Sequence, residues 1–212
     1  MILDEPAIRS LLVPFELNLT NDQIAQLRIY LELLMKWNER INLTAIRDPA
    51  LCVQRHFGES LYLGRWVDLQ GRLLDIGSGT GFPGLCLKII FPALAVTLLE
   101  PSAKKRAFLK EIARTCRMEA VEVRKERLEG FNISANSFDA ATSRAVGHLK
   151  ELIPLAQKCL KREGDLFLWV SRRQGDEIGE GLGGMSMVRR LAMPDGKQSE
   201  IWWGRSFFDP SV

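Results

Sequence analysis

Residues 73–84 read Leu73-Leu74-Asp75-Ile76-Gly77-Ser78-Gly79-Thr80-Gly81-Phe82-Pro83-Gly84. This pattern predicts an apolar strand that ends near Asp75, then a glycine-rich turn, then a helix that Pro83 can begin. Glycine permits backbone angles and close approaches that side chains forbid. A small molecule could therefore rest directly against the turn.

A second acidic residue stands at the end of the next apolar run. Glu100 follows the run Ala95–Leu99. An acidic strand end, a glycine-rich turn, a helix and a second acidic strand end are together typical of sites for S-adenosylmethionine. We expect Glu100 to hydrogen-bond the ribose hydroxyls of this methyl donor. The residues predicted from this pattern to bind the cofactor are Asp75, Gly77, Gly79, Gly81 and Glu100.

The same glycines also satisfy a weaker dinucleotide-binding pattern. Gly79, Gly81 and Gly84 fit Gly-x-Gly-x-x-Gly, and Glu100 stands where a ribose-binding acid would be expected. A carboxylate at position 75 would repel a pyrophosphate, which needs unopposed N–H groups. It would suit the ammonium and sulfonium of S-adenosylmethionine. The methyl donor is therefore favoured, with a dinucleotide site and a purely structural turn as alternatives.

The composition fits one large domain, or a core domain with an extension. The chain has 212 residues, 46% of them hydrophobic, and a net charge of +3, which allows a local basic face without establishing one. Four widely spaced cysteines and two histidines favour neither a disulfide framework nor a metal site. No apolar run reaches the roughly 18 residues that span a bilayer, and the N-terminus lacks the pattern of a signal peptide. We therefore expect a cytoplasmic protein without membrane contact.

Helical patterns come before the first strand. Thr20-Asn21-Asp22-Gln23 is typical of a capping box, and Asp48-Pro49 predicts a second helix that runs to about Leu63. Residues 1–19 are expected to be a loose helix or an arm. Residues 1–70 are thus predicted to form an N-terminal helical extension and residues 71–212 the core domain.

Strand and helix patterns alternate from Arg72 onward, which predicts a parallel sheet with helices on its faces. The glycine-rich segment 175–184 is expected to be mobile, and a hairpin is predicted around Pro194-Asp195-Gly196. The predicted fold is α/β: a Rossmann-like class I S-adenosylmethionine-dependent methyltransferase sheet, with parallel strands plus a C-terminal antiparallel hairpin. Parallel strands are predicted at 72–76, 95–99, 119–123, 138–142 and 164–170, helices at 83–90, 102–117 and 148–160, and hairpin strands at 186–193 and 199–206.

Three basic groups follow predicted strands at one edge of the sheet. The first lies in the first turn of a helix that Ser102 should cap, where cations oppose the helix dipole. An RNA phosphate nearby would offset that conflict, and solvated charges are the alternative. The residues predicted to bind RNA are Lys104, Lys105, Arg106, Arg124, Arg127 and Arg172.

Several segments between residues 20 and 170 carry a family resemblance. They are Lys36-Trp37-Asn38, residues 42–49, Arg55-His56, residues 75–84, Leu99-Glu100, residues 105–109 and Ser143-Arg144-Ala145. Together they resemble the GidB (RsmG) family of bacterial methyltransferases. The resemblance implies that N7 of a single guanine in 16S ribosomal RNA is methylated, with that RNA or the small ribosomal subunit as partner. The cofactor-binding positions that it implies are Gly77, Phe82, Leu128, Glu129 and Arg144.

The resemblance fades after Val170. There the family has Lys-Gly after the fifth strand, whereas this chain has Ser171-Arg172-Arg173. A role carried by that lysine is therefore not transferred to this chain, unless Arg172 or Arg173 replaces it.

The chemistry implied by the resemblance needs no general base, because guanine N7 has a free lone pair and no proton. The sequence also lacks the Asp/Asn-Pro-Pro-aromatic motif of enzymes that methylate exocyclic amines, and residues 141–144 read Ala-Thr-Ser-Arg there. Arg144 is the predicted catalytic residue, and a salt bridge to Asp139 or Glu129 is the structural alternative. A small-molecule methyltransferase and a non-catalytic RNA-binding protein stay open as other functions. A monomer without metal is expected.

Three aromatic residues are expected to pack in the protein interior rather than to take part in catalysis or to stack on a base. His56 is predicted to be a hydrogen-bonding packing residue, and Trp202-Trp203 is predicted to pack a strand against the core.

Overall fold

A single twisted sheet organises the molecule. The computed structural model describes residues 3–131, 137–144, 147–194 and 198–207, and within these ranges eight strands lie in the order β3-β2-β1-β4-β5-β8-β7-β6. The strands are β1 Arg72–Ile76, β2 Ala95–Leu99, β3 Val121–Arg124, β4 Phe138–Arg144, β5 Leu160–Ser171, β6 Gly181–Leu182, β7 Met185–Ala192 and β8 Ser199–Ser206.

Strands β1 to β5 run parallel, as predicted. β1 pairs with β2 on one side and with β4 on the other, so the chain order reverses next to β1. Ligands of open α/β sheets bind outside the carboxyl ends of the strands at such a reversal. The fold therefore directs attention to the turn that follows β1.

The C-terminal part of the sheet is antiparallel. β8 pairs with both β5 and β7, which confirms the predicted hairpin, although Asp195 and Gly196 of its turn lie outside the described residues. Residues 175–184, which are predicted to be mobile, contain the end of a helix and strand β6, and their mobility stays a prediction. A helix begins after Ser171, which forms a capping box with Gln174, and the following glycines allow the tight β6–β7 pairing.

Helices cover both faces of the sheet. The predicted capping box at Thr20 is present and begins the long helix α2. Helix α3 begins after Asp48, and a π-helical stretch, Val53–Gly58, links it to α4. The helices are α1 Glu5–Leu12, α2 Asn21–Ile41, α3 Pro49–Cys52, α4 Glu59–Leu61, α5 Gly84–Ile90, α6 Ala103–Thr115, α7 Leu149–Cys159 and α8 Arg172–Ile178.

The helices before β1 share one hydrophobic cluster with the sheet. Leu34 and Phe57 belong to the same cluster as Leu73 of β1 and Phe167 of β5. A second cluster, which includes Ile153 of α7, covers the opposite face. The predicted boundary near residue 70 therefore separates segments that bury a common core.

The predicted packing role of the tryptophan pair is confirmed. Trp202 is completely buried and donates to the Gly179 carbonyl at 3.1 Å, while Trp203 packs against Phe167. Among the described helices, none is long and apolar enough to cross a membrane.

Candidate cofactor and methyl-transfer site

The turn after β1 has the backbone form that its glycines predict. Gly77, Gly79 and Gly81 have φ of +70°, +57° and +91°, in the region that side chains disfavour. The Ser78 amide donates to the Leu99 carbonyl at 2.9 Å, and this bond ties the turn to the end of β2.

Gly81 faces the N-terminal helices. A Cβ at this position would overlap the Tyr30 hydroxyl oxygen and would approach Leu85 Cδ1 to 2.8 Å. That hydroxyl donates to the Thr80 carbonyl at 2.5 Å. The glycine at position 81 thus lets α2 pack onto the turn, a role that the cofactor pattern did not predict.

Asp75 lies beneath the turn and is completely buried. Its Oδ1 accepts from Thr142 Oγ1 at 2.8 Å, whereas Oδ2 has no hydrogen-bond partner. Burial raises the pKa of this carboxyl to about 6, against smaller lowering effects of the neighbouring Ser78 and Thr142 hydroxyls. Asp75 therefore lies under the turn, next to β4, and its contact with the donor stays a prediction.

Glu100 joins the turn to the start of α6. Its Oε2 accepts from the Gly79 amide at 2.9 Å and its Oε1 accepts from the Ser102 amide at 2.7 Å. Ser102 in turn caps α6, as predicted. The carboxylate thus holds the two backbone segments that border the predicted ribose site, while its ribose contact stays a prediction.

A cavity of about 310 Å³ opens at the carboxyl ends of β1 and β2. Of the predicted cofactor positions, three line this cavity: Gly77, Leu128 and Glu129. The other six do not: Asp75, Gly79, Gly81, Phe82, Glu100 and Arg144. The complete lining among the described residues is Ile76, Gly77, Leu99, Pro101, Glu126, Arg127, Leu128, Glu129, Gly147, His148, Glu151 and Leu152.

The start of α7 supplies lining residues that the sequence reading missed. His148 has φ of +57°, and Glu151 and Leu152 follow on the first turn of α7. The sequence feature that could have predicted these residues is the helix that starts after β4, because the carboxyl ends of the strands also carry the predicted site.

Phe82 sits in a stack of three rings. Its ring lies 5.4 Å from Tyr30 at an interplanar angle of 8°, and 4.8 Å from His56 at 18°. His56 Nε2 lies 2.9 Å from Thr44 Oγ1, which fits the predicted packing role. Burial, together with Arg144 and Arg55, lowers the pKa of His56 to about 4. The imidazole is therefore neutral at pH 7.

Arg144, at the end of β4, is bound by the helical segment before β1. Its Nη2 donates to Glu59 Oε2 at 2.7 Å and to the Arg55 carbonyl at 2.5 Å, and its Nη1 donates to the His56 carbonyl and Ser60 Oγ at 3.3 and 3.2 Å. An ion pair of Arg144 was the predicted alternative to a catalytic role. This ion pair is present, but it is formed with Glu59 and not with Asp139 or Glu129. Asp139 instead pairs with Lys161 at 2.6 Å.

The predicted RNA-binding residues divide into two sets. Arg106 donates to the carbonyls of Glu100 and Pro101, and Arg124 pairs with Glu122 at 2.9 Å. Arg106 thus binds the segment that precedes its own helix, and Arg124 pairs with a residue of its own strand. The other four are Lys104, Arg127 and Arg172, which are exposed, and Lys105, which is half-buried.

The described residues contain no group of three or more His, Cys, Asp or Glu side chains that could hold a metal ion. The cavity lining is better suited to an organic cofactor than to a metal ion. Ile76, Leu99 and Leu128 offer apolar walls for a flat base, Gly77 exposes backbone at the turn, and Glu129 adds a carboxylate. This combination of apolar surface and a few polar groups suits a nucleoside such as that of S-adenosylmethionine.

Comparison with known proteins gives a consistent answer. The profile of the GidB family, described as rRNA small subunit methyltransferase G, matches residues 23–196. The ribosomal RNA small subunit methyltransferase G of Chloroflexus aggregans is 42% identical over 164 residues, which cover 76% of this chain and 69% of the relative. The protein of the same name from Lactococcus lactis subsp. cremoris is 34% identical over 91% of this chain and 86% of its own length.

Solved structures show the same fold at low identity. A SAM-dependent methyltransferase from Aquifex aeolicus superposes with a TM-score of 0.63 at 14% identity, covering 77% of this chain and 96% of that chain. TYW2 of P. horikoshii, in complex with MeSAdo, superposes with a TM-score of 0.55 at 14% identity, covering 72% and 63%.

Proposed function

The chain belongs to the GidB family of ribosomal RNA small subunit methyltransferases, and we propose that it methylates N7 of one guanine in 16S ribosomal RNA. The observation that carries the proposal is the cavity beside the glycine-rich turn, with Gly77, Leu128 and Glu129 in its lining. The donor is S-adenosylmethionine, which supplies an electrophilic methyl group when it is bound.

The residues around the turn are suited to binding rather than to proton transfer. Glu100 fixes the amides of Gly79 and Ser102, so the backbone that meets the donor is held in advance. His56 is neutral and packed on Phe82, and Asp75 has no exposed surface. Guanine N7 needs no base, so we attribute catalysis to orientation of the acceptor and to the electrostatics of the site.

Three exposed basic residues follow strands of the sheet, which supports RNA binding at this edge. Lys104 follows β2, Arg127 follows β3 and lines the cavity, and Arg172 follows β5. Cations in such positions bind phosphates without reading sequence. A partner consisting of 16S ribosomal RNA or the small subunit would place the protein in the cytoplasm, and we expect it to act as a monomer.

In vitro methylation tests the proposal. Purified protein, S-adenosylmethionine and either 16S ribosomal RNA or small subunits are incubated, and N7-methylguanosine is then mapped by reverse transcription after chemical cleavage. We expect one new stop, dependent on protein and donor. Methylation at an exocyclic amine, or turnover that persists after nuclease digestion of the RNA, would contradict the proposal.

A cavity variant ties the activity to the site. Leu128→Trp would fill the cavity and should abolish donor binding measured by calorimetry. Leu51→Trp adds the same side chain at a position that is 42% exposed, and should bind normally. Equal donor affinities in the two folded variants would show that the cavity beside Gly77 is not the donor site.

A further inference from the structure

Glu59 is a buried carboxylate at the junction of three elements. The residue is 3% exposed and begins α4, directly after the π-helical stretch. Its Oε2 pairs with Arg144 at 2.7 Å and its Oε1 pairs with Arg55 at 3.0 Å. Because two guanidinium groups share this carboxylate, its charge is balanced although the residue itself is buried.

The same residue also fixes β5. Trp169 Nε1 donates to the Glu59 carbonyl at 2.7 Å. Glu59 therefore connects the segment before β1 to two strands. Its side chain binds Arg144 at the end of β4, and its backbone carbonyl binds Trp169 near the end of β5. These strand ends are adjacent, since Arg144 pairs with Trp169 in the sheet register.

Arg144 has little freedom while this arrangement holds. Each of its Nη nitrogens donates to two acceptors, and all four acceptors belong to residues 55–60. The guanidinium therefore cannot use its Nη hydrogens to read guanine or to hold a phosphate without breaking contacts with residues 55–60. Its position is instead a fixed one, set by the neighbouring helical segment.

The segment that holds Arg144 also reaches the glycine-rich turn. His56 lies three residues before Glu59 and stacks on Phe82 at 4.8 Å, and the Ser60 hydroxyl donates to the His56 carbonyl at 2.6 Å. The end of β4 and the turn after β1 are thus held by the same short stretch of chain.

We propose that Glu59 is a positioning residue for methyl transfer, which acts by holding Arg144 at the end of β4, the strand that pairs with β1. The inference rests on the proposed function. A role in folding alone would lower only the stability. The positioning role predicts instead that removal of Glu59 slows the chemical step, because Arg144 is no longer held in place.

Three variants test the proposal: Glu59→Gln, Arg144→Gln and the double variant. Glu59→Gln keeps the shape of the side chain and removes its charge. With donor and RNA saturating at 20 °C, we expect kcat to fall about 10- to 100-fold, the scale of a displacement of about 1 Å in a reacting assembly. The KM for RNA should change less than threefold. The double variant should have the same kcat as Arg144→Gln, because Glu59 acts through that residue.

The controls separate this proposal from a loss of stability. Glu32→Gln breaks an ion pair with Arg28 on the exposed side of α2, where the Nη1–Oε1 distance is 2.6 Å, and should leave kcat unchanged. Thermal unfolding defines which variants are folded at 20 °C. If Glu59→Gln does not fold, the double variant, which leaves no unpaired buried charge, still gives the comparison with Arg144→Gln.

Different results would count against the positioning role and against the proposed function. A folded Glu59→Gln with wild-type kcat, an Arg144→Gln variant with wild-type kcat, or a double variant much slower than Arg144→Gln would overturn the positioning role. Absence of methylation by the wild-type protein would instead refute the proposed function, and it is recognised by the wild-type reaction alone.

Discussion

Substitution of Gly81 by alanine should destabilise the protein because α2 packs against that position. The residue has φ of +91°, and left-handed backbone costs a residue with a Cβ about 1–2 kcal/mol. The new methyl would overlap the Tyr30 hydroxyl oxygen and approach Leu109 Cδ2 to 3.1 Å, and overpacking of a close-packed site costs a further 1–3 kcal/mol or so. We therefore expect a loss of about 2–5 kcal/mol in the free energy of unfolding.

Gly79 provides the matched control. It has φ of +57°, yet the nearest atom to a Cβ there is the Gly77 carbonyl oxygen at 3.8 Å. Gly79→Ala should therefore cost only the backbone term, about 1–2 kcal/mol. Urea unfolding followed by circular dichroism measures both variants. For a chain of this length each kcal/mol corresponds to about 2–4 °C in Tm, so thermal unfolding gives an independent check.

A second substitution isolates the contact itself. Tyr30→Phe removes the hydroxyl that the new methyl would overlap and leaves the buried Thr80 carbonyl without this donor, at a cost of about 1–3 kcal/mol. In that background Gly81→Ala should cost at least about 1 kcal/mol less than in the wild type, because the overlapping atom is gone. Strictly additive effects, or equal losses in Gly79→Ala and Gly81→Ala, would refute the packing argument.

Three further predictions concern charge and local structure. The pKa of Asp75 is raised to about 6 from 3.8, so the stability it contributes is fully present below pH 3.8 and is lost as the pH rises through 6. Relative to Asp75→Asn, the wild type should therefore gain about 1 kcal/mol between pH 8 and pH 5, and a pH-independent difference in urea unfolding would contradict this. The comparison cancels the opposite contribution of His56, whose pKa is lowered to about 4 from 6.5. Lys104→Ala and Arg127→Ala should each weaken RNA binding and reduce the slope of log affinity against log salt by about 1; unchanged slopes in filter binding would exclude phosphate contacts. Thr20→Ala removes the cap of α2 and should cost about 1 kcal/mol, whereas a variant with wild-type stability would show that the cap is dispensable.

Local signals in the sequence were enough for much of the fold. The bounds of β1 and β2 agree with the prediction because each is a short, largely apolar run with a clear end: β1 ends at the glycine-rich turn and β2 ends before Glu100. The start of α2 agrees because a capping box is a pattern of four neighbouring residues. The order of alternating strands and helices then determines the parallel sheet, since few connections of that kind are possible.

Long-range packing explains what sequence reasoning could not supply. Arg144 and Glu59 are 85 positions apart, and no periodicity relates them. The burial of Asp75 depends on the register between β1 and β4, in which it lies opposite Thr142. Residues 175–184 are predicted to be mobile because they hold many glycines, yet they include the end of a helix that Ser171 caps and a strand that pairs with β7.

The three glycines of the turn share a positive φ and differ in their surroundings. Gly77 lines the cavity, the Gly79 amide donates to Glu100, and Gly81 leaves room for Tyr30. A single motif therefore combines a ligand surface, a backbone anchor and a contact with the N-terminal helices. Loss of donor binding in a Gly81 variant would report on the packing of α2, whereas the same loss in a Gly77 variant that stays folded would report on the cofactor surface. The donor affinity of a variant in this motif can therefore be interpreted only when the free energy of unfolding of the same variant is also measured.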